Sequence, residues 1–413
     1  MNSFSIVFLT LLLAMQAAQM WLGWRHRRHI SRHRHAVPAP FKGKILLSAH
    51  KKAADYTIAK SRFGLLDASL GNLLLLVWTL GGGLNLLDQT LRGLDYGPLI
   101  TGTGFIVAAF LIMGVLDIPS SLYSTFVIEQ RFGFNKTTPK TFMFDLLTQA
   151  VLFLVIGIPL LLAILWLMQE TGDTWWLYVW LLWTGFTLLM VWAYPSLIAP
   201  LFNKFTPLKD SQVQKRIQAL LKRTGFKSRG IYVMDGSRRS AHGNAYFTGF
   251  GKGKRIIFYD TLLTTLGGKE IEAVLAHELG HFKRRHVLKR MLLIFCMSLA
   301  GLALLGWLMR QEWFFHGLGM QQPSTHAALM LFLLAGSVFT FFLSPLMAWG
   351  SRRHEFEADS FAAEQADSKS LVSALVKLYK ENASTLTPDP LYSAFYDSHP
   401  PAPVRIAHLR GLA

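Results

Sequence analysis

Seven apolar stretches, each long enough at roughly 20 residues to cross a bilayer as a helix, divide this chain and leave little of it free to fold in water. They lie near Phe4–Trp24, Gly64–Asp88, Leu99–Tyr123, Phe144–Met168, Thr174–Tyr194, Val287–Met309 and His326–Trp349. Lipid offers backbone N–H and C=O groups no partner, so such stretches must satisfy them internally, as helices. Only two long polar segments can build soluble-style structure: Ser196–His286 and the tail Gly350–Ala413. The expected fold is therefore an all-α polytopic membrane protein. It divides into residues 1–195 (five transmembrane helices and their loops), 196–286 (a polar segment), 287–349 (two more helices) and 350–413 (a polar tail).

Charge placement orients the spans. The chain carries 42 Lys+Arg against 24 Asp+Glu, a net +18, yet only 16% of residues are charged and 52% are hydrophobic. A disordered basic chain lacks such apolar content, and a soluble enzyme dilutes it with more charge. The loop Arg25–Phe63 holds eleven Lys/Arg against Asp55, which by the positive-inside rule makes it cytoplasmic and the N-terminus outside. The first stretch has no basic residue ahead of it, so it is expected to be an uncleaved anchor. Counting crossings from there places both polar segments in the cytoplasm. Because the basic residues border spans, they are a topology signal and imply no nucleic-acid partner. The same holds for the His-rich run Arg25–His35. The lone Cys296, in an apolar run, excludes a disulfide framework and a Cys-type zinc cluster.

Chemistry concentrates in the first polar segment. Lys269–His286 reads KEIEAVLAHELGHFKRRH, with Ile271, Val274, Leu275 and Leu279 at helical spacing. His277 and His281, four apart, then share a face and can hold one Zn2+, with Glu278 beside the open position as general base. At this composition the H-E-x-x-H pattern arises by chance roughly 0.01 times per chain; the bland alternative is a helix surface with incidental histidines.

A catalytic zinc needs a third protein ligand and leaves its fourth position open. After the seventh span the sequence runs SRRHEFEADSFA, Ser351–Ala362. On a helix Glu355 and Asp359 share a face, while Glu357 points about 200° away from Glu355. Glu355 is thus the expected ligand and Asp359 the carboxylate that orients a ligand imidazole. His354 and Glu357 compete with Glu355 for the ligand role, and an amphipathic juxtamembrane helix is the plain alternative. Both segments return to the same membrane face.

These residues, with the blocks STFVIEQRFGFNK (Ser124–Lys136), APLFNKFTPL (Ala199–Leu208), SAHGNAYFTGFGKGKRIIFYDTLL (Ser240–Leu263) and LAHELGH (Leu275–His281), resemble the integral-membrane zinc endopeptidases of the CAAX prenyl protease type. The resemblance covers most of the chain beyond about residue 120. It implies zinc ligands at His277, His281 and Glu355, a general base at Glu278, and a seven-helix barrel around an intramembrane chamber capped by the zinc site. It further implies substrate binding at Asn244, Ala245 and Tyr246, because the family's Asn-Ala-Tyr segment pins the peptide. His399 matches the family's Ser-His-Pro block as an oxyanion-side residue. Arg405 is carried over to the substrate side less securely, because Val404 stands where an acidic residue often precedes that arginine.

The residues themselves support a small sheet in the cap. Gly230–Met234, Ala245–Phe250 and Arg255–Tyr259 are β-rich, with a turn at Gly251-Lys-Gly-Lys254, and a sheet edge beside a zinc helix can accept an extended peptide. The function expected is zinc-dependent peptide hydrolysis with Glu278 moving the proton and His399 facing the developing charge. The substrate is a peptide or protein, lipidated or not. The rivals are a quality-control membrane protease of the heat-shock type and a transporter or scaffold with a structural zinc. Asp67, Asp88, Asp117 and Asp145, costly against lipid, are expected to face a wet interior, with the membrane interface as the alternative for those near span ends. The ending Gly411-Leu412-Ala413 carries no ER-retention signal, so a bacterial inner membrane is the expected location, or an ER-type membrane in a eukaryote.

Overall fold

In the computed structural model, which describes residues 1–249 and 254–412, the apolar stretches form long helices. Six are long and apolar enough to cross a membrane, or seven when a bent pair counts as one span. In chain order the spans are Ser3–His33, the pair Leu47–Trp78 and Gly83–Arg92, Pro98–Phe132, Pro139–Glu170, Gly172–Phe202, His286–Leu308 and Thr325–Gln365. The second departs from the expected straight helix over Gly64–Asp88. It breaks after Trp78 and turns by 47°, because the Gly81-Gly82-Gly83 run permits the left-handed conformation at Gly82 (φ 80°).

The spans pack loosely. Within their most apolar windows only 11% of residues in Pro139–Glu170 and 39% in Thr325–Gln365 are buried. Such low burial leaves most of these apolar side chains to lipid or to the space between the helices. Polar side chains bridge the first two spans at mid-helix, where Asn72 donates to Gln16 at 2.6 Å and Gln16 to Ser69 at 2.8 Å. The larger buried cluster of the spans lies at the end away from the cap, where Phe8, Phe105, Leu165, Phe314 and Phe315 are fully buried.

The acidic residues of the spans fare differently from one another. Asp67 pairs with Ser120, and Asp117 is exposed beside the same cavity of about 220 Å3. Asp88 does not face water: it is 1% exposed, locked to His326 at 2.7 Å and Arg92 at 2.8 Å. A carboxylate with two cationic or N–H partners no longer needs solvent. Asp145 is gripped through two hydrogen bonds by Arg239, which ties the fourth span to the cap.

The cap is built from both polar segments. The first contributes β1 (Phe205–Pro207), α1 (Ser211–Thr224), β2 (Gly230–Met234), β3 (Ala245–Thr248), β4 (Arg255–Tyr259), α2 (Asp260–Thr265) and α3 (Gly268–Lys283). The tail adds α4 (Ser368–Glu381), α5 (Pro390–Tyr396) and α6 (Ala402–Gly411). The mixed sheet runs β1-β2-β4-β3, with β2 and β4 parallel and the other pairs antiparallel. Central β4 is apolar on both faces, with Ile256, Ile257 and Phe258 at 2% exposure or less. The short strand β1 was not expected from sequence. Residues 250–253, which contain most of the expected turn and the end of the Ala245–Phe250 run, lie outside the described residues.

Helix α3 is the hub of the cap core, packing on α1, α4 and the seventh span. Its N-terminus is fixed by Glu270, which accepts from the Gly267 backbone N–H, Ser373 Oγ and Lys377 Nζ, all at 2.7 Å. Burial alone would raise the Glu270 pKa, but these three donors outweigh it and hold the carboxyl below its usual range.

Candidate metal centre

Two helices bring the expected ligands together. The bilayer core accounts for about 20 residues of helix, so the 41-residue seventh span runs on well past it and carries Glu355 into the cap. There it crosses α3 at very close range. A Cβ on Gly280 would lie 2.9 Å from Ala358 Cα and 3.0 Å from its carbonyl oxygen. Only glycine permits that approach, and the approach sets Glu355 opposite His277 and His281.

The imidazoles present their Nε2 atoms to one spot, 3.3 Å apart. Glu355 completes the group, with Oε2 3.5 Å from His277 Nε2 and Oε1 3.2 Å from His281 Nε2. These three donors lie within 4.8 Å of one another and form the one such cluster of three or more potential metal donors among the described residues. Glu355 is 3% exposed, yet its Oε2 has no hydrogen-bond partner. A buried carboxylate oxygen without a donor is costly; a cation between the three residues would satisfy it. The donor set, two imidazoles and a carboxylate, suits Zn2+ with an open fourth position. The residues fit a metal.

Each imidazole is held from behind. His277 donates from Nδ1 to Asp359 Oδ1 at 2.8 Å, which leaves its Nε2 lone pair facing the cluster. Asp359, fully buried, is clamped by Arg405 through Nε to Oδ2 at 2.9 Å and Nη2 to Oδ1 at 2.6 Å. Arg405 Nη1 also stands 3.4 Å from Glu355 Oε2. Burial and the Arg405 charge oppose protonation of His277, but the neighbouring Asp359 and Glu355 carboxylates outweigh both and push its pKa up to about 9. The two carboxylates thus favour positive charge beside His277.

The other expected residues fall into three places. Glu278, partly buried on α3, has no hydrogen bond or ion pair among the described residues, so its carboxylate is free. His399 stands at the exposed rim, Nε2 3.4 Å from Glu355 Oε1 and Nδ1 3.0 Å from Ser398 Oγ. Arg405 is not on that rim: it is 7% exposed and sits behind the cluster on Asp359. Asn244 is exposed at the entrance to edge strand β3, which packs on α3; Ala245 is buried and Tyr246 half-buried along it. His354 and Glu357 do not reach the cluster. They surround His286, a residue the helix period did not single out.

Residues 26–204 match the family described as CAAX prenyl protease N-terminal, five membrane helices, and residues 207–413 match peptidase family M48. The chain belongs to peptidase family M48. A CAAX prenyl protease 1 homolog of Arabidopsis thaliana is 36% identical over 91% of this chain and 90% of its own length, and that of Homo sapiens 32% over 98% and 95%. The crystal structure of S. mikatae Ste24p superposes with a TM-score of 0.91 at 29% identity, covering 99% of both chains. This M48 member is an integral-membrane metalloendopeptidase, and the transporter and quality-control alternatives are not favoured.

Proposed function

We propose that the chain holds one Zn2+ between His277 Nε2, His281 Nε2 and the Glu355 carboxylate, and cleaves a peptide bond near the C-terminus of a prenylated protein. The observation that carries the zinc reading is a convergence of three donors among the described residues, with each imidazole anchored through its far nitrogen. A structural zinc normally closes with a fourth protein ligand.

Zn2+ bound there supplies Lewis acidity at neutral pH. Glu278, unpaired and next to His277, takes the proton of the attacking water and passes it to the leaving amine. His399 at the rim offers an N–H to the negative charge that develops on the carbonyl oxygen. The free edge of β3, opening at Asn244, pins an extended substrate as an added strand, with Ala245 and Tyr246 setting its register. Arg405 acts through Asp359, holding it in place for His277. The eleven Lys/Arg of the Arg25–Phe63 loop favour a cytoplasmic cap and an outside N-terminus. The prenyl specificity rests on the names of the similar proteins.

Purified protein, offered matched peptides with and without a C-terminal isoprenoid thioether, should cleave the lipidated one faster and stop when a zinc chelator is added. Equal cleavage of both would shift the reading to a quality-control protease. Chelator-insensitive cleavage would contradict it.

A further inference from the structure

His286 lies five residues beyond His281, about 140° around an ideal helix, and so points away from the zinc face. The structure brings it back. Helix α3 ends at Lys283, and Arg285 takes the left-handed conformation (φ 56°, ψ 33°) before the sixth span starts at His286. That turn sets His286 Nδ1 3.0 Å from His281 Nδ1 and His286 Nε2 3.0 Å from Glu357 Oε2. His354 stacks on the His286 ring at 4.0 Å between centroids, tilted by 12°. His286 is 4% exposed, while the Glu357 side chain is a third exposed and is also approached by Arg353 Nε at 3.5 Å.

Two Nδ1 atoms at hydrogen-bond distance require one donor and one acceptor. Glu357 accepts from His286 Nε2–H, so the His286 Nδ1 carries a lone pair and must accept from His281 Nδ1–H. His281 is thereby held as the tautomer whose Nε2 lone pair faces Glu355 and His277.

We propose that His286 and Glu357 are positioning residues for the metal, a two-step relay that orients His281 as Asp359 and Arg405 orient His277. This rests on the reading of His277, His281 and Glu355 as the ligands. The relay makes the two imidazoles equivalent in support: each ligand is backed by a hydrogen-bond acceptor that is itself fixed by a charged neighbour. It also gives the two residues that compete with Glu355 in sequence, His354 and Glu357, a shared location around His286.

The test compares wild type, His286→Phe and His286→Asn as full-length protein in detergent. Phenylalanine keeps the ring that stacks on His354 but removes both hydrogen bonds; asparagine restores an oxygen near the Nδ1 position that can accept from His281. Zinc release to a chelator is timed, and the visible spectrum of the Co2+-substituted protein reports ligand geometry. Loss of such an outer partner weakens metal binding about 10–100-fold. The phenylalanine variant should therefore release zinc faster by that factor and shift the Co2+ bands, the asparagine variant should fall between it and wild type, and the metal-free melting temperatures of the two variants should agree. Equal release from both variants, or release from His286→Phe within about twofold of wild type, overturns the relay. If His286→Phe does not fold, Glu357→Ala at the surface decides: several-fold faster release supports the relay and unchanged release overturns it. A wild-type protein that takes up no zinc or cobalt overturns the ligand reading itself, an outcome distinct from failure of the relay.

Discussion

Replacing Gly280 by alanine probes the helix crossing on which the metal site depends. The added Cβ would meet Ala358 Cα at 2.9 Å, the Ala358 carbonyl oxygen at 3.0 Å and Phe361 Cβ at 3.2 Å. Carbon atoms rest at about 3.5–4.0 Å, so α3 and the seventh span must separate by roughly 0.6 Å or more. Ligand distances in metal sites hold to about 0.2 Å. Glu355 lies three residues, less than one turn, before Ala358 and moves with it. The overpacking should destabilise the protein by about 1–3 kcal/mol. Zinc affinity should fall at least tenfold, about 1.4 kcal/mol, and kcat/KM with it. The clashing atoms at Ala358 are backbone, so Ala358→Gly should not rescue the variant. Zinc titration against a competing chelator, alongside thermal melting, measures both effects. A Gly280→Ala protein with wild-type zinc affinity and melting temperature would refute the claim that this contact sets the Glu355 position.

Three further outcomes follow from the contacts around the site. Asp359→Asn should leave Arg405 buried against a neutral partner and weaken the acceptor behind His277, lowering zinc affinity about 10–100-fold; unchanged zinc retention counts against the role given to Asp359. Glu270→Gln should cost about 1–3 kcal/mol at pH 7, the half-exposed Lys377 moderating the loss. The folded pKa of Glu270 is depressed, so its contribution is present above the unfolded value near 4.3 and disappears as pH falls through the folded value. Denaturation of wild type and variant should therefore converge in acid, and a constant gap from pH 7 to 3 would contradict the assignment. Arg285→Gly should relieve the left-handed backbone and raise stability or leave it unchanged, whereas Arg285→Val should lower it by about 1–2 kcal/mol and speed zinc release by displacing His286.

Much of this architecture follows from patterns with one dominant cause. Apolar runs of bilayer length can only be helices, and two histidines four apart on a helix must share a face. The i, i+4 relation of Glu355 and Asp359 likewise held, because the seventh span continues as helix past the membrane. What escaped the sequence depends on how chain segments meet. Helical phase places His286 off the zinc face, and only the left-handed Arg285 reverses that; a basic residue in that conformation leaves no periodic signature. Arg405, on α6, meets Asp359 across a tertiary contact, so its position behind the ligands, away from the rim, was not readable. The break after Trp78 had a visible signal in the three successive glycines, which hydropathy averaging over Gly64–Asp88 smooths away. Asp88 is costly in lipid in isolation, but its partner His326 is 238 residues away.

The central claim is that Glu278 moves the proton in a zinc site whose ligands are His277, His281 and Glu355. Its most direct test is to measure zinc content and peptide cleavage together on purified wild type and Glu278→Gln. The account predicts one zinc per chain in both proteins and a cleavage rate in the variant lower by about 10²–10⁴-fold. A Glu278→Gln protein that retains zinc and cleaves at the wild-type rate would contradict it.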